Sequence, residues 1–73
     1  MLREPLLVDV REPYHLSAKD LQVAVNVPLG VLLAEPTRLP RDRPLVLFGH
    51  DAAQADFAAS YLRRFGYDAR RRE

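Results

Sequence analysis

The sequence predicts an α/β protein built on a small open parallel β-sheet. Short apolar runs, typical of buried strands, alternate along the chain with segments of helical spacing. The clearest case is the apolar run Leu45–Phe48, which leads into Gly49, a short polar loop and an alanine-rich helix. This strand, turn and helix would aim backbone N–H groups at one point, where an anion could bind. The full order of strand, helix, strand, short helix, strand, helix and strand favours parallel strands joined by right-handed crossovers.

Composition narrows the possible functions. The 73 residues suffice for one domain, spanning 1–73, but not for a large core. The chain has no cysteine, which excludes disulfides, thiolate metal ligands and cysteine nucleophiles. Two histidines are too few for a structural zinc site, so neither a metal nor a cofactor is expected. A net charge of +1 gives no general attraction to nucleic acid or membranes. With no signal peptide and no membrane-spanning run, the chain is predicted to be cytoplasmic.

The first half of the chain is predicted to contain two strands and one short helix. Residues 5–10 form a short apolar run with β-branched side chains, as in a buried strand. Pro13 suits the first turn of a helix, which is predicted over residues 12–19. Apolar residues occupy every second position of residues 21–27, which predicts a strand with one buried face, closed by Pro28.

A second short helix and a loop are predicted before the third strand. Residues 29–34 have the apolar content for one or two helical turns. The segment 35–44 contains three prolines and is expected to be a loop, with residues 41–43 as a solvated turn.

The last third of the chain is predicted to form a capped helix and an edge strand. Asp51 is a good N-cap for the helix, and Gly66 is placed to end it in a left-handed conformation. Residues 67–70 then form a short polar strand at the edge of the sheet. The core-facing stripe of the helix is predicted to consist of Ala55, Ala58, Leu62 and Phe65.

Two motifs point to a known family. Residues 9–13 read Asp-Val-Arg-Glu-Pro, and residues 24–29 read Ala-Val-Asn-Val-Pro-Leu. Together with the run Leu45–Phe48 and the helix ending in residues 65–68, they make the chain resemble the rhodanese-like, or sulfurtransferase-homology, domain over about residues 6–69. The resemblance implies a four-stranded sheet in the order 4-3-1-2, with helices on both faces.

The resemblance also implies that the chemistry of the family is absent. The family's loop reads Cys-x-x-Gly-x-Arg-Ser, and Gly49 stands in the place of its cysteine. The glycine, arginine and serine of that loop are replaced as well, and a left-handed conformation at Ala52 would be strained. Sulfur transfer and the phosphatase chemistry of related folds both need the thiolate, so neither is expected. The aligned loop of this chain is Gly49, His50, Asp51, Ala52, Ala53, Gln54 and Ala55.

The resemblance places the ligand crevice at the carboxyl ends of strands one and three. Arg11 and the loop 49–55 would border this crevice, and Asp9 and Arg11 are expected to be mainly structural. The family's closing helix is missing, so the helix over 12–19 is expected to be the only cover of one sheet face. Apolar surface left on that face would invite a partner chain.

These expectations favour a non-catalytic module that binds a protein partner, a second copy of itself or a small anion at the loop. The alternative is an enzyme of another class, in which His50, Asp51 and Arg11 would act on an anionic substrate in the same crevice. The arginines of residues 70–72 are expected to form a solvated, frayed tail rather than a nucleic-acid site, since no recognition motif accompanies them.

Overall fold

The computed structural model describes residues 4–72, so the predicted domain over 1–73 extends beyond it at both ends. Within this range the chain forms strands, α-helices and two 3-10 turns, at Pro13–His15 and Pro36–Arg38. The regular elements are β1 (Leu6–Asp9), α1 (Ala18–Val23), β2 (Val25–Asn26), α2 (Leu29–Ala34), β3 (Leu45–Phe48), α3 (Ala52–Arg63) and β4 (Ala69–Arg71).

The four strands form one parallel sheet in the order β2-β1-β3-β4. β1 lies inside the sheet, with Val8 beside Val25 of β2 on one side and beside Leu47 of β3 on the other. β4 runs along the outer edge of β3, where Ala69 lies beside Leu45. This is the predicted order 4-3-1-2 read from the opposite edge, and the predicted α/β fold is confirmed.

The core lies on the sheet face that carries α2 and α3. Side chains alternate between the two faces of a strand, and Val8, Leu45 and Leu47 are fully buried on this face. Leu32 of α2 packs into the same cluster. Helix α3 meets the sheet through mostly small side chains, and its buried residues are Ala55, Ala58, Ala59 and Leu62.

The opposite face of the sheet carries Asp9, Val46 and Phe48 and is covered less completely. Helix α1 lies near its carboxyl end, where Asp20 approaches the crevice beside Asp9. The guanidinium of Arg72 stands over the ring of Phe48, 4.7 Å from its centre. Helices therefore lie on both faces as predicted, but the helix on this face is α1.

The predicted helix over residues 12–19 is wrong. A single 3-10 turn forms at Pro13–His15, and the α-helix begins only after Ser17. The cause is a capping box: the hydroxyl of Ser17 accepts from the amide of Asp20, and the carboxylate of Asp20 accepts from the amide of Ser17. This reciprocal pair satisfies amides that would otherwise lack partners, and it fixes the start of α1.

The predicted strand over residues 21–27 is also wrong in its first half. Leu21 and Val23 belong to α1 and are exposed by 53% and 56%, so alternation there does not mark a buried face. β2 is reduced to two residues, and Val27 is the first buried side chain after it.

Residues 41–43 are not merely a solvated turn. Arg41 donates to the carbonyl of Phe65 at 2.6 Å, and its guanidinium lies 4.3 Å from the ring centre of Tyr67. Arg43 donates to two carbonyls of the segment that precedes β1. The two arginines therefore connect the loop before β3 to distant parts of the chain.

Helix α3 ends two residues earlier than predicted. The helix stops at Arg63, so Phe65 lies outside the buried stripe and is 39% exposed. Gly66 has φ of +89°, which confirms the left-handed turn that ends the helix. α3 is the longest helix with 12 residues, and no helix among residues 4–72 is long and apolar enough to cross a membrane.

The predicted frayed tail is wrong. β4 pairs with β3 along the sheet edge and begins at Ala69, two residues later than predicted, while Tyr67 is buried in the core. Arg71 forms an ion pair with Asp56 of α3 at 3.2 Å, and the amide of Arg72 donates to the carbonyl of Leu47 at 2.8 Å. Arg70 and Arg71 therefore belong to the sheet, and Arg72 lies over Phe48 on one of its faces.

Candidate functional site

The loop between β3 and α3 is the candidate site, and its own polar groups hold it in shape. Asp51 is the N-cap of α3, as predicted: its carboxylate accepts from the amide of Gln54 at 2.9 Å. The carbonyl of Asp51 accepts the first bond of the helix, from Ala55 at 3.2 Å. The predicted turn and helix start therefore follow the apolar strand directly.

The centre of the loop is filled by the side chain of Gln54. Its carbonyl oxygen Oε1 accepts from the amide of His50 at 2.7 Å. A Cβ atom built on Gly49 would lie 2.7 Å from this oxygen and 3.0 Å from the amide nitrogen of Ala55. The place of a side chain at position 49 is thus occupied, and one of the amides that could hold an anion already has an acceptor.

Ala52 is not strained, which corrects the expectation drawn from the missing glycine. Among residues 4–72, no residue other than glycine has a positive φ. Helix α3 begins at Ala52, so this residue adopts ordinary helical geometry instead of a left-handed turn. The backbone of the loop is therefore compatible with the alanines that replace the family's residues.

Asp9 and Arg11 form a closed pair at the end of β1. The carboxylate of Asp9 is almost fully buried and accepts from the amide of Arg11 at 3.0 Å. It also accepts from Nε at 3.1 Å and from NH2 at 2.9 Å of the same arginine. These hydrogen bonds raise the pKa of Arg11 above its ordinary value. The side-chain amide of Asn26 binds the carbonyls of both residues and joins the pair to β2.

Each side chain of the predicted alternative catalytic set contacts a different partner. The set consists of His50, Asp51 and Arg11. The ring of His50 packs edge-on against the ring of His15, with centroids 4.7 Å apart. The carboxylate of Asp51 caps α3, and the guanidinium of Arg11 binds Asp9. The structure therefore does not assemble the three side chains around one reacting atom.

The histidine pair is a feature that the sequence analysis missed. A signal was available, because His15 and His50 each follow a strand, and β1 and β3 are neighbours with the same direction. Carboxyl ends of adjacent parallel strands bring their following residues together. Two imidazoles alone do not make a metal centre, and the described residues hold no group of three or more potential metal ligands.

Arg72 is the second residue that sequence reasoning missed. It borders a cavity of about 220 Å³ that also touches Gly49, Asp51 and Ala52. It also borders an adjoining cavity of about 310 Å³ that reaches Arg11. The cavities lie where the resemblance placed the ligand crevice. Arg72, which was expected to lie in a solvated tail, adds its charge to those of Arg11, Lys19 and Asp20 there.

The capping box beside this crevice makes α1 sensitive to acid. Hydrogen bonds from the amide and hydroxyl of Ser17, and then the charge of Arg11, hold the pKa of Asp20 below its ordinary value. A lowered pKa in the folded state means that the ionised carboxylate stabilises the fold. This contribution is complete above the ordinary aspartate pKa of about 3.9, and it is lost as the pH falls through the lower folded pKa.

We therefore expect Asp20→Asn to be less stable than the parent chain near neutral pH, with a difference that shrinks in acid. Urea unfolding of both proteins from about pH 6 to about pH 3 measures this difference. A difference that stays constant over that range would contradict the assigned role of the carboxylate.

Comparison with known proteins agrees with this architecture. The model of the Rhodanese-like domain family matches residues 1–71. A protein named Sulfurtransferase from Allochromatium vinosum is 29% identical over 62 residues, covering 85% of this chain and 58% of that protein. The uncharacterized protein YqhL of Bacillus subtilis is 31% identical over 64 residues, covering 88% of this chain and 51% of that protein.

A solved structure supports the same fold. The crystal structure of a rhodanese-related protein from Thermoplasma volcanium superposes with a TM-score of 0.77 at 23% identity. The match covers 92% of this chain and 67% of the other. The chain thus spans between half and two thirds of the length of the relatives described here.

Proposed function

Since the chain belongs to the rhodanese-like domain family, we propose that it is a non-catalytic member that serves as a protein-binding module. The observation that carries the proposal is the filled loop: position 49 is a glycine, and Gln54 occupies the space beside it. The chain has no cysteine at any position, so no other thiol can replace the missing nucleophile.

A protein partner is favoured over a small anion by the state of the loop amides. The amide of His50 already donates to Gln54, and that of Gln54 donates to Asp51. An anion would have to displace the side-chain oxygen of Gln54 to reach the centre of the loop. Several large apolar side chains are instead exposed elsewhere on the surface, which is typical of protein contacts.

Two measurements test this proposal. Purified protein is expected to show no thiosulfate:cyanide sulfurtransferase activity above buffer, with an active family member as positive control. Titration with sulfate, phosphate or thiosulfate, followed by the NMR signals of residues 49–55, is expected to give no saturable shift. Turnover would overturn the non-catalytic assignment, whereas saturable shifts without turnover would replace the protein partner by an anion.

We further expect that Gly49→Cys does not restore sulfur transfer. The new side chain would have to displace Oε1 of Gln54 and would lie close to the amide nitrogen of Ala55. The arginine, serine and glycine of the family loop are also missing. Incubation with thiosulfate, followed by intact-mass spectrometry, should show no added sulfur atom. Ala53→Cys, an exposed thiol at the start of the same helix, is the matched control. A persulfide on Gly49→Cys but not on Ala53→Cys would contradict the expectation.

The alternative of an enzyme of another class has no support from the contacts of His50, Asp51 and Arg11, which are all engaged separately. The cytoplasmic location stays a prediction of the sequence.

A further inference from the structure

We infer that two copies of this chain associate through the β2 edge, with Leu21 of each copy seated in the groove beside β2 of the other. The surface lies away from the loop 49–55, so this inference goes beyond the proposed function and is tested by a different measurement.

The β2 edge is formed by a stretch without charge. Residues 21–34, which run from α1 through β2 to α2, contain no acidic or basic residue, although 29% of the chain is charged. The same stretch holds three large apolar side chains that are exposed by 37% to 53% on this edge, namely Leu21, Val25 and Val31. Seven such side chains are exposed among residues 4–72, so three of the seven lie on this one edge.

A groove of about 650 Å³ runs along β2 on the side of the core face. Eight of its ten lining residues are apolar, and Arg38 carries the only charge among them. Arg38 is already paired with Glu35 at 3.5 Å. The apolar walls include Pro13, Val25, Val27, Val31, Leu39 and Pro40. A groove with these walls can accept an aliphatic side chain, and its volume leaves room for more than one.

Leu21 is the aliphatic side chain available on the same edge. Lys19, Asp20 and Val23 of α1 face the polar crevice near Arg11. At 100° per residue, Leu21 therefore lies on the side of α1 that points away from that crevice. The edge thus presents a projecting side chain on one side of β2 and a groove on the other.

Strand addition does not explain this edge. β2 has two residues, and the amide of Val27 donates inward to the carbonyl of Asp9. Alternation leaves Asn26 as the residue whose backbone faces outward, and Pro28 has no N–H to continue a ladder. Contacts at this edge must therefore be made by side chains.

A second copy is the occupant that fits the arrangement. A twofold interface places the same patch on both partners. Consider a twofold axis that lies in the plane of the sheet and runs beside β2. Rotation about this axis turns the sheet over, so α1 of each copy comes to lie on the groove side of the other copy. No like charges meet along residues 21–34. The β4 edge could not pair in this way, because the arginines of residues 70–72 would face their own copies.

Sedimentation equilibrium of the full chain tests the inference. From about 10 µM to about 1 mM, the average mass is expected to rise from 8.3 kDa towards twice that value. Leu21→Lys and Val31→Lys should each weaken association at least about tenfold, since they bury a charge in the contact. Phe57→Lys, which changes an equally exposed side chain on α3, is the matched control.

NMR spectra of the unsubstituted chain at the same concentrations give a second readout that needs no variant. Concentration-dependent shifts are expected for residues 21–31 and not for residues 49–55. A monomer throughout the range would overturn the inference. So would equal weakening by Phe57→Lys, or shifts confined to residues outside the β2 edge.

Discussion

Asp9→Ala is expected to lower the free energy of unfolding by about 3 kcal/mol, because it removes one partner of a buried ion pair. The carboxylate is the one buried charged group among residues 4–72, and it accepts from the amide and from two side-chain nitrogens of Arg11. Arg11 keeps partial access to water, since 26% of its side chain is exposed. The expected loss of stability is therefore at the low end of the range for breaking a buried ion pair. A chain of this size has a total stability of about 4–11 kcal/mol, so the variant is expected to be close to unfolding on mild heating.

Urea unfolding followed by circular dichroism measures this loss. Glu35→Ala is the matched control, since it breaks an ion pair with Arg38 that is mostly exposed. The control substitution should lower the free energy of unfolding by no more than about 0.5 kcal/mol. A loss for Asp9→Ala as small as that of the control would show that the pair does not hold the end of β1 in place.

Leu47→Ala is expected to lower the free energy of unfolding by about 3–4 kcal/mol. Leu47 is fully buried in β3, between β1 and β4, and belongs to the cluster that includes Ala55, Ala58 and Ala59 of α3. Alanine side chains cannot extend into the vacated space, so most of the cavity would persist. The cost therefore includes a cavity contribution as well as the lost burial of the leucine.

Leu47→Met is the control for this second prediction, because it keeps the side-chain volume nearly constant. It should cost less than about 1.5 kcal/mol in the same urea experiment. Similar losses for the two variants would show that the site relaxes around the alanine and that the contact between α3 and the sheet is less rigid than the structure indicates.

The sequence predicted the elements in which one signal dominates. Leu45–Phe48 is a continuous apolar run, and the capped, alanine-rich segment after it has a clear helical period. The alternation over residues 21–27 was misleading because it was taken as evidence of burial. Ser17 and Asp20 carried the competing local signal of a capping box, and that signal fixes the helix.

The candidate site was predictable only in its backbone. Asp51 as N-cap follows from residue type and position alone. The bond from the amide of His50 to Gln54 depends on the rotamer of a flexible side chain, which no residue pattern specifies. The position of Arg72 over Phe48 was not predicted, because the edge strand was expected to end at residue 70 and no residue pattern places the arginines that follow.

The side chain of Gln54, which folds back into its own loop, also shows how such a loop can be stable without a bound ligand. In the loop of an acyl-transfer or sulfur-transfer enzyme, backbone amides are left without an acceptor in the chain, so that they can donate hydrogen bonds to the substrate. Here the side-chain oxygen of Gln54 accepts that hydrogen bond instead. The amide of His50 therefore has an acceptor without any bound ligand. Among related sequences that lack the cysteine, a glutamine in the first turn of the following helix would then mark loops whose amide is satisfied from within the chain.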